Sequence, residues 1–184
     1  VDKILLALPK ADKLAEPFVG SGAVFLNADY ANFLLADTNP DLIHLYREVQ
    51  ASGDNFTDYA SRLFVPENNT EEAFYRLRDE FNQCTDLRRR AALFVYLNRH
   101  CFNGLCRYNA KGKFNVPFGR YSKPAFPTAE VQNFHLKSQN AEFILSDFKA
   151  TMQSFSGSAV VYCDPPYVPL TETSNFSDYT KEGF

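Results

Sequence analysis

The chain has 184 residues, of which 45% are hydrophobic and 22% charged, and this balance indicates a folded globular protein rather than a disordered one. No apolar run approaches the ~20 residues of a membrane span, and no signal peptide is visible, so we expect a cytoplasmic protein without a membrane partner. The four cysteines have neither CxxC spacing nor a nearby histidine pattern, so we expect reduced thiols and no metal: they are Cys84, Cys101, Cys106 and Cys163.

The net charge of −3 argues weakly against a nucleic-acid partner, but the basic and acidic residues are concentrated in different parts of the chain. Residues 87–125 contain nine basic side chains and no Asp or Glu: Arg88, Arg89, Arg90, Arg99, Arg107, Lys111, Lys113, Arg120 and Lys123. An acidic body with one basic segment is typical of a protein whose segment meets phosphates. Chance clustering on a solvated surface is the alternative.

The first fifty residues predict alternating strands and helices. Residues 14–18 form an apolar strand that runs into a glycine turn at 19–22, and a helix opens at Ala23. A second apolar strand at 33–37 is followed by Asn39-Pro40, a good helix N-cap with proline at the first helical position. This β-turn-α-β-α order is the opening of a parallel α/β sheet.

The middle of the chain has a different, mainly helical texture. Asn69 and Glu72 resemble a capping box that starts one helix, and Asp86 can cap another that continues through Arg99. Residues 106–116 read as a β-hairpin with glycine in its turn. Three prolines, at positions 117, 124 and 127, predict a loop after it.

The end of the chain returns to α/β texture. Residues 142–145 are strand-like, and residues 158–163 form a continuous apolar run, as buried parallel strands do. That run delivers Asp164 at its carboxyl end, where open α/β sheets place their active sites. We therefore expect an α/β catalytic domain (1–39 and 140–184) interrupted by a target-recognition insertion (40–139).

Two features near the N-terminus indicate a nucleoside-type cofactor. The stretch Glu16-Pro17-Phe18-Val19-Gly20-Ser21-Gly22 is a strand-end turn in which glycines let a ligand approach the backbone. It lacks the third glycine of the dinucleotide fingerprint, because Phe25 occupies that place. Asp37 ends the next strand, where an acid commonly binds ribose hydroxyls. An ordinary tight turn and a loop acid are the alternative interpretations.

The turn Asp164-Pro165-Pro166-Tyr167 is more specific. Its two prolines restrict the backbone, so the Asp164 side chain and the Pro165 carbonyl form a fixed pair of acceptors. Two such acceptors suit an exocyclic amino group, whose lone pair they would turn out of the ring plane. Tyr167 offers a face for stacking a planar base. A chance proline-rich turn is disfavoured by the buried strand before it.

Four segments together resemble the Dam family of DNA adenine-N6 methyltransferases: EPFVGSGAVFLN (16–27), LADTNPDLI (35–43), YLNRHCFNGLCRYNAKGKFNVPFGRY (96–121) and VVYCDPPY (160–167). The resemblance implies a Rossmann-like α/β methyltransferase sheet with a mostly helical DNA-recognition insertion that carries the hairpin. It also implies methyl transfer from S-adenosyl-L-methionine to N6 of a flipped adenine in GATC, with S-adenosyl-L-homocysteine as product.

The same resemblance assigns roles to residues of the α/β part. Phe18, Gly20 and Gly22 would shape the S-adenosylmethionine pocket together with Glu16, and Asp37 would bind its ribose. Phe148 is a weaker candidate for contact with the cofactor adenine, with core packing as the alternative. Asp164 and the Pro165 carbonyl would hold the target amino group at the edge of the cofactor site, and Tyr167 would stack on the target base.

In the insertion the resemblance implies contacts with double-stranded DNA. Phe102 would stack near the vacated site, Asn103 would contact the disturbed pair, and Arg107 would read guanine through two hydrogen bonds. The other expected contacts are Leu105 to a thymine methyl, Asn109, Pro117 and Arg120 on the same face, and Arg78, Arg99, Lys111, Lys113 and Lys123 to phosphates. A helical bundle with solvated arginines is the alternative.

Three other functions stay open. One is the same chemistry on cytosine N4, RNA adenine or a protein glutamine. Asp164 argues against the cytosine and glutamine enzymes, which favour Ser and Asn there, and leaves RNA adenine open. A non-catalytic DNA-binding module and a dinucleotide-dependent oxidoreductase are the others. Val1 is not an initiator Met, and the family's FxxWxGGK tract and later strands are absent, so we expect a fragment of a longer protein. The resemblance also implies a monomer of bacterial or phage origin.

Overall fold

The computed structural model describes residues 1–154 and 158–165. Within them the chain forms two compact units, one from residues 1–51 and 133–165 and one from residues 52–132. We call them the sheet unit and the helical unit. Pro166 and Tyr167 of the proline-rich turn lie outside the described residues.

The sheet unit is built on four parallel strands. They are β1 (Lys13–Glu16), β2 (Asn32–Asp37), β3 (Ala141–Leu145) and β4 (Val160–Val161), in the order β3-β2-β1-β4. Leu14 and Ala15 pair with Val160 and Val161, so β4 lies beside β1 although the two strands are near opposite ends of the sequence. Apolar residues fill the central strands because both faces of a parallel sheet are covered. The α/β fold class predicted from the sequence is confirmed.

The helices of the sheet unit are α1 (Asp2–Ala7), α2 (Ala23–Asn27), the first part of α3 (Pro40–Ser61), the last part of α6 (Thr128–Lys137) and α7 (Phe148–Gln153). Helix α1 contains no buried residue. An aromatic core joins α2, α3 and α6 to the strands: the ring centroids of Phe25 and Phe33 lie 4.9 Å apart, and those of Tyr46 and Phe134 lie 4.6 Å apart. Helix α3 is not continuous, because Gly53 has φ 44° and ψ −117°.

The helical unit contains α4 (Glu71–Gln83) and α5 (Leu87–His100). As predicted, Asp86 caps α5 by accepting a hydrogen bond from the Arg89 amide at 2.6 Å. The cap of α4 differs by one residue from the prediction, because Thr70 rather than Asn69 accepts from the Ala73 amide. The Asn69 side chain instead donates to the Tyr121 carbonyl at 2.9 Å.

The predicted hairpin closes without two regular strands. A single antiparallel bridge joins Tyr108 to Phe114, and Gly112 has a positive φ of 68° in the turn. Residues 117–127 form no regular helix or strand, as their three prolines predict, and α6 begins directly after them at Thr128, where the Pro127 carbonyl accepts from the Val131 amide. Short 3-10 turns occupy Pro66–Asn68, Phe102–Gly104 and Ser138–Asn140.

The sheet unit extends further into the chain than the predicted division at 39/40 and 139/140. The reason is that the start of α3 is tied to β3: Arg47 donates twice to the Phe143 carbonyl, at 3.0 and 2.6 Å. Gln50 donates to the Ala141 carbonyl at 2.7 Å. In the part of the chain that the structure describes, no helix combines the length and the apolar character that crossing a bilayer requires.

Candidate cofactor site and nucleic-acid interface

Residues predicted to bind the cofactor or the target follow all four strands at one edge of the sheet. Glu16 ends β1 and Asp37 ends β2, while Phe148 and Asp164 come shortly after β3 and β4. The strand order reverses between β1 and β4, and parallel α/β sheets bind ligands outside their carboxyl ends at such a reversal. The topology therefore brings these predicted residues to one edge.

The glycine turn after β1 is held open by hydrogen bonds from two sides. The Gly20 amide donates to Asp37 Oδ2 at 3.1 Å, and the Tyr46 hydroxyl donates to the Gly20 carbonyl at 2.5 Å. Gly20 and Gly22 have φ of 46° and 69°, a conformation that strains other residues. A Cβ placed on Gly20 would meet no atom within 4 Å among the described residues, so a ligand can approach this backbone.

Asp37 ties the glycine turn to the start of α3. Its Oδ2 accepts from Gly20, and its Oδ1 accepts from the Asn39 amide at 2.8 Å. Burial raises the pKa of this carboxyl, and the backbone hydrogen bonds from Asn39, Gly20 and Thr38 act in the opposite direction. A carboxylate offers about four lone-pair directions, so Asp37 can still accept from a ligand hydroxyl.

Glu16 is a buried carboxyl with incomplete hydrogen bonding. Glu16 is 1% exposed, and its Oε1 atom has no hydrogen-bond partner among the described residues. Desolvation raises the pKa of Glu16 to about 7, and a hydrogen bond with the Phe25 backbone lowers it less. A cationic ligand beside Glu16 would favour the ionised form and supply the missing partner.

An aromatic pair lies at the same edge. The rings of Phe18 and Phe148 stack with centroids 5.5 Å apart and an interplanar angle of 26°. Phe148 opens α7, whose N-terminus is capped by Asp147 accepting from the Lys149 and Ala150 amides. Since this is an ordinary aromatic contact distance, no further ring fits between the two phenylalanines. A cofactor base would pack against the outside of the pair.

Asp164 and Pro165 emerge from β4 next to β1. The Tyr162 amide donates to the Ala15 carbonyl at 2.9 Å, which carries the pairing with β1 one residue past β4. Asp164 and Pro165 are both exposed, as two acceptors for an external amino group must be.

In the helical unit, residues 102–121 form what we call the recognition segment. Phe102, which is 50% exposed, donates its amide to the Pro117 carbonyl, and Cys101 bridges to Phe118. Asn103 has a positive φ of 55°, and its amide donates to the Tyr121 hydroxyl at 3.0 Å. Three residues of the predicted DNA face, Phe102, Asn103 and Pro117, therefore lie together.

The hairpin of this segment presents Arg107. Its Nε donates to Asn115 Oδ1 at 2.9 Å while the residue stays exposed. An end-on contact through the two Nη nitrogens is compatible with that hydrogen bond. Asn109 Oδ1 accepts from the Lys111 and Lys113 amides, so Asn109 shapes the turn. Leu105 is half-buried.

The remaining basic residues fall into two groups. Arg99, Lys111, Lys113 and Lys123 are exposed, as is Arg120, which pairs with Glu71 at 2.9 Å. Arg78 is half-buried, donates to the Val116 carbonyl at 3.2 Å and lies over the Tyr75 ring.

Three arginines of the acid-free segment make internal contacts. Arg88 donates to Asn55 and lies over the Tyr59 ring, and Arg89 pairs with Glu80 at 2.7 Å. Arg90 donates to the Phe81 carbonyl and lies over its ring. These three side chains stabilise the helical unit, so fewer of the segment's nine positive charges are available to a ligand than the sequence suggests.

Sequence reasoning missed the residues that support these sites. Nothing in the sequence around Tyr46 shows that its hydroxyl reaches the Gly20 carbonyl. Asn82 belongs to no motif, and Asn115 lies within the 96–121 segment that carries the resemblance but was assigned no role. Among the described residues no group of three His, Cys, Asp or Glu side chains is arranged to hold a metal.

The sheet order and the acids at its carboxyl edge define an α/β protein with a candidate ligand-binding edge. The model of the D12 class N6 adenine-specific DNA methyltransferase family matches residues 1–184, and the chain belongs to that family. The chain is thus an adenine-specific DNA methyltransferase, which requires a methyl donor.

Similar proteins support this placement. The DNA adenine methylase of Serratia marcescens is 54% identical over 184 residues, which are 100% of this chain and 68% of that protein. Those of Escherichia coli (strain K12) and Vibrio cholerae are 52% and 49% identical over the whole chain, which covers 66% of each. The chain spans about two thirds of the length of these relatives.

Proposed function

We propose that the protein transfers a methyl group from S-adenosyl-L-methionine to N6 of a flipped adenine in double-stranded DNA, within GATC. The observation that carries the proposal is the sheet order: it places Asp164, after β4, beside the strand whose carboxyl end forms the glycine turn. A donor bound at the turn and an amino group held at Asp164 would share one edge of the sheet.

We assign the cofactor roles to residues at that edge. Gly20 leaves space for close approach, Asp37 accepts from ribose hydroxyls, and Glu16 faces the cationic end of the cofactor. Phe18 and Phe148 pack against its adenine, with Gly22 allowing the turn. S-adenosylmethionine supplies an electrophilic methyl group on a sulfonium.

The residues proposed to hold the target base are those of the proline-rich turn. The Asp164 carboxylate and the Pro165 carbonyl accept from the two N–H groups of the target amino group and direct its lone pair outward. Tyr167, outside the described residues, is proposed to stack on the base. No covalent intermediate with the protein would be needed: the amino nitrogen would bond to the methyl carbon as the carbon–sulfur bond breaks, S-adenosyl-L-homocysteine would leave, and one amino proton would pass to solvent.

The DNA roles rest on the exposed recognition segment. We assign Arg107 to a guanine, Leu105 to a thymine methyl, and Phe102 with Asn103 to the space that the flipped base leaves. Asn109, Pro117 and Arg120 complete this face, and Arg99, Lys111, Lys113 and Lys123 contact phosphates, with Arg78 behind them. We place this activity in the bacterial or phage cytoplasm, in a monomer serving replication-linked methylation and mismatch repair.

The test is Asp164→Ala in the full-length protein. Methylation of GATC duplexes, measured by tritiated methyl incorporation, should disappear while DNA affinity changes little, because one of two amino-group acceptors is lost. Glu142→Ala is the control, since Glu142 is an exposed acid on β3 of the same sheet and has no role in the proposed site. Full activity of Asp164→Ala would contradict the proposal. A wild-type protein that binds DNA but no S-adenosylmethionine would instead be a binding module.

A further inference from the structure

Two polar side chains of α4 hold one stretch of the recognition segment. Asn82 Nδ2 donates to the Phe114 carbonyl at 3.1 Å, and Asn82 Oδ1 accepts from the Phe114 amide at 2.8 Å. One turn earlier, Arg78 Nη1 donates to the Val116 carbonyl at 3.2 Å. Asn82 thus satisfies both backbone groups of one residue, as a neighbouring strand would.

The spacing of these contacts fixes the position of the stretch along the helix. Positions 78 and 82 are about 6 Å apart along α4, since a helix rises about 1.5 Å per residue. Alternate residues of an extended chain are about 6.8 Å apart, which matches residues 114 and 116. The Phe114 and Val116 side chains are 2% and 0% exposed, so a slip along α4 would also remove them from the core.

This stretch in turn positions Arg107. Asn115 lies between the two anchored residues, accepts from Arg107 Nε at 2.9 Å, and donates its amide to the Arg107 carbonyl at 3.1 Å. Asn82 is therefore linked to the exposed guanidinium in three steps: hydrogen bonds to Phe114, the peptide bond from Phe114 to Asn115, and hydrogen bonds between Asn115 and Arg107.

We propose that Asn82 is a positioning residue for sequence recognition: by fixing Phe114 and hence Asn115, it sets where Arg107 meets its base pair. The inference rests on the proposed function, which assigns a guanine to Arg107. Asn82 itself is half-buried, and its side-chain amide is bonded to the Phe114 backbone.

The experiment compares Asn82→Ala with Asn68→Ala in the full-length protein. Asn68 is the matched control because its amide also bonds a backbone carbonyl of the helical unit, that of Leu63 at 3.0 Å, and its other side-chain contact is Arg76. The quantity measured is the ratio of kcat/KM on a GATC duplex to kcat/KM on duplexes in which one pair beside the adenine is replaced.

Asn82→Ala should lower this ratio by about tenfold, because losing a well-placed guanine contact removes discrimination of that order. Asn68→Ala should leave the ratio unchanged, and neither variant should alter KM for S-adenosylmethionine. A purely structural role would instead lower activity on all duplexes alike in both variants, and that result would overturn the inference.

Two further measurements keep the outcomes separate. If circular dichroism shows Asn82→Ala unfolded, Asn82→Asp replaces it. This variant keeps the acceptor for the Phe114 amide and lacks the donor, and it should show a smaller fall in the ratio.

A wild-type protein inactive on GATC would refute the proposed function instead. Amide hydrogen exchange of residues 107–115 then decides: it should accelerate in Asn82→Ala and not in Asn68→Ala, and equal exchange overturns the inference.

Discussion

Replacing the buried Glu16 by glutamine should change how the stability of the protein depends on pH. Burial raises the pKa of Glu16 to about 7 from 4.5, so between these values the unfolded chain loses a proton that the folded protein keeps. Because the folded pKa is the higher one, stability falls as pH rises from about 4.5 and levels off above about 7. Glutamine has the same shape and no proton to lose.

The magnitude follows from the same two values. The difference between these two pKa values corresponds to about 3 kcal/mol of stability lost at high pH, at about 1.36 kcal/mol for each unit of pKa. Less than about 1 kcal/mol of this is lost at pH 5, and nearly all of it at pH 8. The free energy of unfolding of Glu16→Gln relative to wild type should therefore rise by about 2–3 kcal/mol between pH 5 and pH 8.

The assay is urea unfolding followed by far-UV circular dichroism, since the chain contains no Trp for fluorescence. Using the pH dependence of the difference cancels the constant cost of burying an amide in place of a carboxyl. Glu142→Gln is the matched control, because Glu142 is an exposed glutamate of β3. Parallel pH profiles for wild type and Glu16→Gln would refute the reasoning.

Two other substitutions probe the recognition segment. Arg107→Ala should reduce discrimination at one base pair of the site by roughly 1–3 kcal/mol, measured as kcat/KM on single-pair variants, whereas a uniform loss on every duplex would make Arg107 a phosphate contact. Gly119→Ala should destabilise the protein by about 1–3 kcal/mol, because the new Cβ would lie 2.6 Å from the Cys101 carbonyl oxygen. A thermal midpoint equal to that of wild type would contradict this close approach.

The sequence predicted those parts of the fold that depend on local chemistry. Asp86 caps its helix because a side-chain oxygen beside free amides suffices, whatever the rest of the fold. The sheet follows from apolar runs that end in acids, so Asp37 and Asp164 reach the carboxyl edge as predicted. Asn69 failed as a cap because the Tyr121 carbonyl, 52 residues away, takes its amide.

The supporting contacts were not predictable for the same reason. Tyr46 reaches Gly20 and Asn82 reaches Phe114 across 26 and 32 residues, and neither interaction leaves a spacing pattern. Similarly, the basic segment reads as one charged surface, although Arg88, Arg89 and Arg90 pair with groups of the helical unit. Side-chain partners distant in sequence determine these roles, and residue type alone does not reveal them.

The internal pairing of those three arginines limits how strongly salt can weaken DNA binding. Each phosphate neutralised by a cationic side chain releases counterions, which changes the logarithm of affinity by about 0.9 per logarithm of salt concentration. Of the nine basic residues in 87–125, three are held internally, Arg107 is assigned to a base, and Arg120 pairs with Glu71. The four proposed phosphate contacts that remain predict a slope of about −3.6, less than half that implied by all nine, so the salt dependence of this segment should come from four exposed side chains.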